Sequence, residues 1–119
     1  VKVICLPNVD VADENIKYEI IRAGKNKNKV FVDLNITNQK SWPFDFAALT
    51  LITVLNEQDS IGQIDPYKGK NTVKYGIEKD EKVGVELVYD FKTPPKEISI
   101  LCKSTMRINA DTVFFKQKF

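Results

Sequence analysis

From Lys29 to Asn38 the chain reads KVFVDLNITN, with Val30, Val32, Leu34 and Ile36 on every second position and Phe31, Asp33, Asn35 and Thr37 between them. Successive side chains of a β-strand point to opposite faces, so this period predicts a half-buried strand with one apolar face. Its β-branched residues suit a pleated surface. The polar cluster Asn38-Gln39-Lys40-Ser41 ends it. Val83, Val85, Leu87, Tyr89 and Phe91 repeat the pattern against Gly84, Glu86, Val88 and Asp90. The expected arrangement buries Val32, Leu34 and Ile36 near Val85, Leu87 and Tyr89, with Asp33 and Asn35 facing the other way.

The rest of the chain alternates between strands and turns. Val1, Val3 and Cys5 alternate with Lys2, Ile4 and Leu6 in a first short strand closed by Pro7-Asn8. Ile16, Tyr18 and Ile20 alternate with Lys17, Glu19 and Ile21 in a strand ending at Gly24. Phe46 to Leu55 is apolar on both faces; its Thr50, Ile52, Thr53 and Val54 favour one continuous, doubly covered strand over a buried helical turn. Asn56 to Lys70 is the least regular region. Strands are expected over Thr72 to Ile77, Ile98 to Cys102, Thr105 to Ala110 and Thr112 to Phe119. Thr93-Pro94-Pro95-Lys96 separates two of them, because proline cannot donate to a ladder. Val11 to Ile16, around Asp13-Glu14-Asn15, is a further candidate helical turn. About seven to nine short strands without an amphipathic helix predict an all-β sandwich or barrel, residues 1–119 forming one domain.

At 119 residues the chain is long enough to bury a core. Eighteen basic and sixteen acidic residues give a net charge of +2, too balanced for a nucleic-acid footprint. The run Lys25-Asn26-Lys27-Asn28-Lys29 reads as a solvated hairpin turn. No apolar run approaches the roughly 20 residues that span a bilayer. No signal peptide is visible, and the opening on VKVICL is consistent with a leader or anchor having been removed.

Histidine is absent, which removes the usual Ser-His-Asp and Cys-His arrangements and the commonest metal ligand. Two cysteines make neither a Cys-rich zinc site nor a CxxC pair. There is no phosphate-binding glycine loop. The acids sit in turns or on the polar side of strands, so no enzyme activity and no cofactor are expected. Asp10 to Asn15 and Asn56-Glu57-Gln58-Asp59 are oxygen-rich clusters that calcium could use; both read more simply as turns bonding their own backbone.

Two features leave alternatives open. Cys5 shares a face with Val1 and Val3, and Cys102 with Ile98 and Ile100. They form either a disulfide, stabilising by roughly 4 to 5 kcal/mol in the chain-entropy model, or two buried thiols. Trp42 and Phe44 flank Pro43, with Tyr67 in the later irregular loop. These rings either offer a contact surface to a protein or glycan partner or plug one end of the sandwich. Asn35-Ile36-Thr37 matches a glycosylation acceptor but lies inside the clearest strand.

Val30 to Asn38, a hydrophobic strand ending in Asn, resembles the telokin-like, immunoglobulin-like extracellular domains of secreted proteins and lipoproteins of Gram-positive bacteria. Phe44-Asp45-Phe46 followed by Leu49 is similar to that family's next strand opening. Glu81-Lys82-Val83-Gly84 running into Leu87-Val88-Tyr89-Asp90-Phe91 resembles its turn and following strand. Lys79-Asp80 stands where the family usually carries Pro-Gly, and Asn56 to Ser60 lacks its usual Asp-Gly turn. The resemblance implies an immunoglobulin-like β-sandwich serving as a non-catalytic extracellular or cell-surface module, with an interaction or a structural role; the expected partner is another protein or a cell-surface component. The alternative is an intracellular or periplasmic binding domain, such as an inhibitor or assembly factor, with reduced cysteines. The expected partner surface is one end of the sandwich, at Trp42, Phe44 and Tyr67.

Overall fold

A computed structural model of the chain describes the backbone of residues 2–5, 9–11, 16–104 and 112–119, and the side chains of 16–104, 112 and 114–119. Its elements are β1 (Lys2–Cys5), β2 (Val9–Val11), β3 (Ile16–Asn26), β4 (Lys29–Asn38), β5 (Phe44–Ala47), the one-turn helix α1 (Ala48–Leu51), β6 (Ile52–Asn56), β7 (Gln63–Ile64), β8 (Val73–Ile77), β9 (Lys82–Asp90), β10 (Glu97–Lys103) and β11 (Thr112–Lys118). One sheet runs β1-β11-β10-β6, a second β2-β3-β4-β9-β7, and β5-β8 form a two-stranded ribbon. Among the described residues, the strand pairings are antiparallel except that of β1 with β11. The two larger sheets face each other across a shared core, which makes this a β-sandwich.

β4 is central, as its alternation predicts. Val30, Val32, Leu34 and Ile36 are buried and stand opposite Tyr89, Leu87, Val85 and Val83 of β9. Asp33 and Asn35 take the outward positions, where Asp33 pairs with Arg22 at 2.6 Å. From the facing sheet, Ile98, Ile100, Cys102, Val54 and Phe115 complete the core. Tyr18 crosses between the sheets, donating its hydroxyl to the Lys103 carbonyl at 2.6 Å.

The basic run is a hairpin turn. Asn26 pairs with Lys29, and Lys27 takes a φ of +58° at the tip. Ile21 is exposed because β3 shifts register between Ile20 and Arg22, so the extra residue bulges out of the apolar alternation.

Phe46 to Leu55 is not one strand. β5 belongs to the ribbon with β8, whereas β6 belongs to the sheet with β10, so the chain must change layers between them. One helical turn makes that corner: Ala48 and Leu51 are buried, and the Ile52 amide closes on the Ala48 carbonyl. A segment that switches layers meets apolar neighbours on both sides, which is why its sequence carries no period. The eleven strands among the described residues exceed the expected count through pieces such as β2 and β7, too short to announce themselves. Thr105 to Ala110 and Asp13-Glu14-Asn15 lie outside the described residues.

Candidate functional site

The open side of the sandwich, where β6 and β7 are the sheet edges, is bridged by a short crossing. After the Asn56 turn, Ile61 bridges to Leu55 and the Gly62 amide donates to the Val54 carbonyl at 2.8 Å, still on the β6 sheet. The next residues, Gln63 and Ile64, already pair with Asp90 and Tyr89 of the other sheet. So tight a crossing needs glycine: a Cβ on Gly62 would collide with the Phe91 ring. Opposite this wall stand α1 and the start of β8, joined by the Ala48 amide donating to the Thr72 carbonyl at 2.9 Å.

Between the two walls lies a cleft of about 670 Å³ lined by Leu49, Ile52, Ile61, Ile64, Val73 and Tyr89, together with Thr53, Thr72, Gln63, Gly62 and Pro66. Among the described residues, no charged side chain lines it. Leu49 is 78% and Ile61 73% exposed, so two large aliphatic groups face water at its rim. Tyr89, itself almost fully buried, contributes to the lining. Its register partner Ile64 lines the cleft, and so does Ile52, the register partner of Cys102 on the facing sheet. Among the described residues, Tyr89 Oη and Ser104 Oγ are buried side-chain atoms without a hydrogen-bond partner, and only Tyr89 lines the cleft. Burial, and secondarily Cys102, pushes the Tyr89 phenol well up. Burial pushes the Cys102 thiol up as well. Neither group is poised as an acid, base or nucleophile near neutral pH.

The sequence-predicted aromatic site does not assemble. Trp42 is 65% and Tyr67 96% exposed, whereas Phe44 is buried on β5 opposite Ile77. Phe44 belongs to the core and offers no contact surface. Trp42 follows Asn38, whose amide bonds the Glu81 carbonyl, and so sits at the Lys82 end of β9. Tyr67 follows Asp65, whose amide bonds the Val88 carbonyl. Lys82 and Val88 are about 20 Å apart along the strand, so the two exposed rings belong to different regions.

Cys102 is a buried free thiol, which corrects the Cys5–Cys102 bridge. The Cys5 side chain lies outside the described residues, but its backbone register gives the reason. Cys5 pairs with Lys116, and Lys116 with Ser99, three residues before Cys102. Two strand spacings across and three residues along separate the Cα atoms by about 14 Å, twice the roughly 7 Å a disulfide tolerates.

The oxygens of the Asn56 cluster serve their own backbone. Asn56 Oδ1 accepts from the Gln58 and Ser60 amides, both at 2.9 Å. Glu57 Oε1 accepts from the Lys96 amide at 3.0 Å, which holds that carboxyl below its ordinary range. Most of the Asp10 to Asn15 cluster lies outside the described residues. Asn35 of the glycosylation triplet sits mid-strand on β4, opposite Gly84 and Glu19.

Sequence reasoning missed the cleft because its walls come from segments remote along the chain. The available signal was apolar residues out of place: Leu49 at a layer corner, Ile61 amid turn-formers and Val73 at the mouth of a strand.

No family model and no curated protein matches the chain. Three solved structures do. The yjhA protein of Bacillus subtilis superposes with a TM-score of 0.69 at 8% identity, covering 97% of this chain and 99% of that one. The candidate lipoprotein ycdA of Bacillus subtilis gives 0.70 at 12% identity, covering 92% of this chain but 38% of its own length. An uncharacterized β-sandwich protein of Clostridium difficile gives 0.52 at 15% identity, covering 98% and 94%. At such identities the likeness is one of fold: the chain shares the β-sandwich of these bacterial proteins.

Proposed function

We propose that the protein is a non-catalytic binding module of the telokin-like, immunoglobulin-like kind, acting at the cell surface or outside the cell on a surface component or another protein. The observation that carries this reading is the cleft, an uncharged concavity rimmed by exposed Leu49 and Ile61. Isolated apolar residues on a surface are ordinary, but a group of them around a concavity marks a contact site. Trp42 is a second exposed ring, on a loop carried by the rigid sandwich. The fold shared with a candidate lipoprotein supports the surface location. A second reading, an intracellular or periplasmic binding domain with reduced cysteines, draws on the free Cys102 thiol.

Saturable binding of the labelled domain to intact cells of its source, compared among wild type, the double variant Leu49→Asp/Ile61→Asp and Trp42→Ala, tests this. Loss in the double variant with retained folding is the expected result. Loss in Trp42→Ala alone would move the contact to that loop. Binding to cell extracts but not to intact cells would favour the second reading.

A further inference from the structure

The strand β8 tells what kind of partner the cleft would meet, granted that the cleft is the binding site. Among the described residues β8 pairs with β5 alone, so its other side is a sheet edge. The Ala48 amide bonds the Thr72 carbonyl, which makes Ala47 and Val73 a non-hydrogen-bonded pair and turns the Val73 N–H and C=O away from β5. Lys74 faces β5 through its pairing with Phe46, and the Gly76 amide donates to Asp45 Oδ1 at 2.8 Å. Tyr75, between them, therefore turns outward as Val73 does. Both residues are exposed, and Val73 lines the cleft. An exposed strand edge is a template for a further strand. We propose that the Val73–Tyr75 edge takes up an extended segment of a partner protein as an added antiparallel strand, with the pattern apolar–acidic–apolar.

The pattern follows from the face that each β8 side chain takes. Residues directly opposite across an antiparallel pair share a face. Val73 lines the cleft, so the residue opposite it lies toward the rim formed by Leu49 and Ile61, where an apolar side chain fits. Tyr75, two residues on, presents the same face and suits a second apolar residue. Lys74 is exposed on the other face, and a carboxylate opposite it is the complementary charge. The usable edge stops after Tyr75, because Gly76 takes a φ of +68° and the Ile77 carbonyl is bonded by the Asn38 side chain. That stop, together with Lys74, argues against a second copy of the chain as occupant. Two β8 edges related by a two-fold, Val73 opposite Tyr75, would set Lys74 against Lys74, and like charges directly opposite are destabilising. A shift that relieves this would pair Val73 with Ile77, beyond the end of the edge.

The test titrates the ¹⁵N-labelled protein with the capped peptide Thr-Val-Glu-Val-Thr and, separately, with Thr-Val-Lys-Val-Thr, followed by amide chemical shifts. The glutamate peptide is expected to move the amides of Val73, Tyr75 and Ile61 and to bind about fivefold tighter than the lysine peptide, the scale of a reversed cross-strand charge pair. Lys74→Glu, at an exposed position, should reverse that order. N-methylation of both peptide valines, whose amides would bond β8, should weaken binding by about tenfold or more. Methylation of the glutamate amide, which points away from β8, should leave it nearly unchanged. Absent shifts at Val73 and Tyr75, equal affinity for the two peptides, or indifference to valine methylation would each overturn the proposal. Self-association of the free protein through the same amides would also overturn it, by assigning the edge to a second copy. If both peptides fail while Leu49→Asp/Ile61→Asp still abolishes cell binding, the edge is not a docking strand and the cleft remains the contact site. If that double variant also binds cells normally, the cleft itself is not the binding site.

Discussion

The side-chain amide of Asn38, the last residue of β4, donates to the carbonyl of Ile77, the last residue of β8, at 2.8 Å. The same nitrogen reaches the Trp42 carbonyl at 2.9 Å, and Oδ1 accepts from the Lys40 amide at 2.8 Å. Asn38 is fully buried, and its own backbone bonds the 78–81 turn through Glu81 and Asp80. One polar residue thus holds the loop carrying Trp42, the ribbon and the turn into β9. Asn38→Ala leaves two carbonyls and an amide without their partner and should cost about 2–4 kcal/mol, measured by urea unfolding. Asn38→Asp keeps the acceptor but sets a carboxylate against two carbonyls, so its loss should be larger at pH 7 than at pH 4.

Leu34 tests the core. It is 1% exposed, with Val85 and Ile20 as register partners. Leu34→Ala should cost about 2–5 kcal/mol, the transfer loss plus the cavity left behind. A shift in the urea midpoint equivalent to less than about 1 kcal/mol would show that the site collapses freely, contrary to a close-packed sandwich core.

β4 and β9 were legible because each has one face buried and one wet, so burial writes a period of two into the sequence. Their mutual register follows from the same requirement, since a one-residue slip between them would set Leu34 opposite Glu86 or Gly84 and turn one strand's apolar residues outward. β5, α1 and β6 were illegible because the chain changes layers there. Phe44 reads locally like Trp42, an aromatic beside a proline; only its pairing with Ile77 places it in the core. The disulfide depends on lateral strand order, and no local pattern encodes that β11 stands between β1 and β10. For the cleft, Tyr89 is an ordinary inward residue of an alternating strand. That its hydroxyl has no partner among the described residues depends on what the facing sheet presents.

The turn into β9 gives a prediction of gain. Asp80 occupies the left-handed region at φ +64°, where glycine is at ease and most side chains are not. Its carboxylate pairs with Lys79 at 3.2 Å, but both groups are largely exposed, so little is lost with it. Asp80→Gly should therefore raise stability by about 0.5–1 kcal/mol. A lower thermal midpoint would mean that the ordering entropy of glycine outweighs the relief of backbone strain.

Tyr18, Tyr89 and Cys102 share the interior between the sheets, and in each the ionisation is raised, with burial the largest cause. The ordinary values are 10.0 for the phenols and 9.0 for the thiol. Below those values both folded and unfolded chains hold all three protons, so stability does not depend on these groups. Above them the unfolded chain releases its protons while the folded chain retains them. Unfolding is then coupled to proton release, and stability falls as pH rises, by about 1.4 kcal/mol per pH unit for each group. Surface lysines titrate in the same range, so the informative quantity is the difference between variants. Between pH 9.5 and 11.5, Tyr89→Phe and Cys102→Ala should each flatten the decline in unfolding free energy by about the slope of one group, whatever their effect at pH 7. Slopes identical to wild type in both variants would place these groups in contact with solvent and contradict their burial.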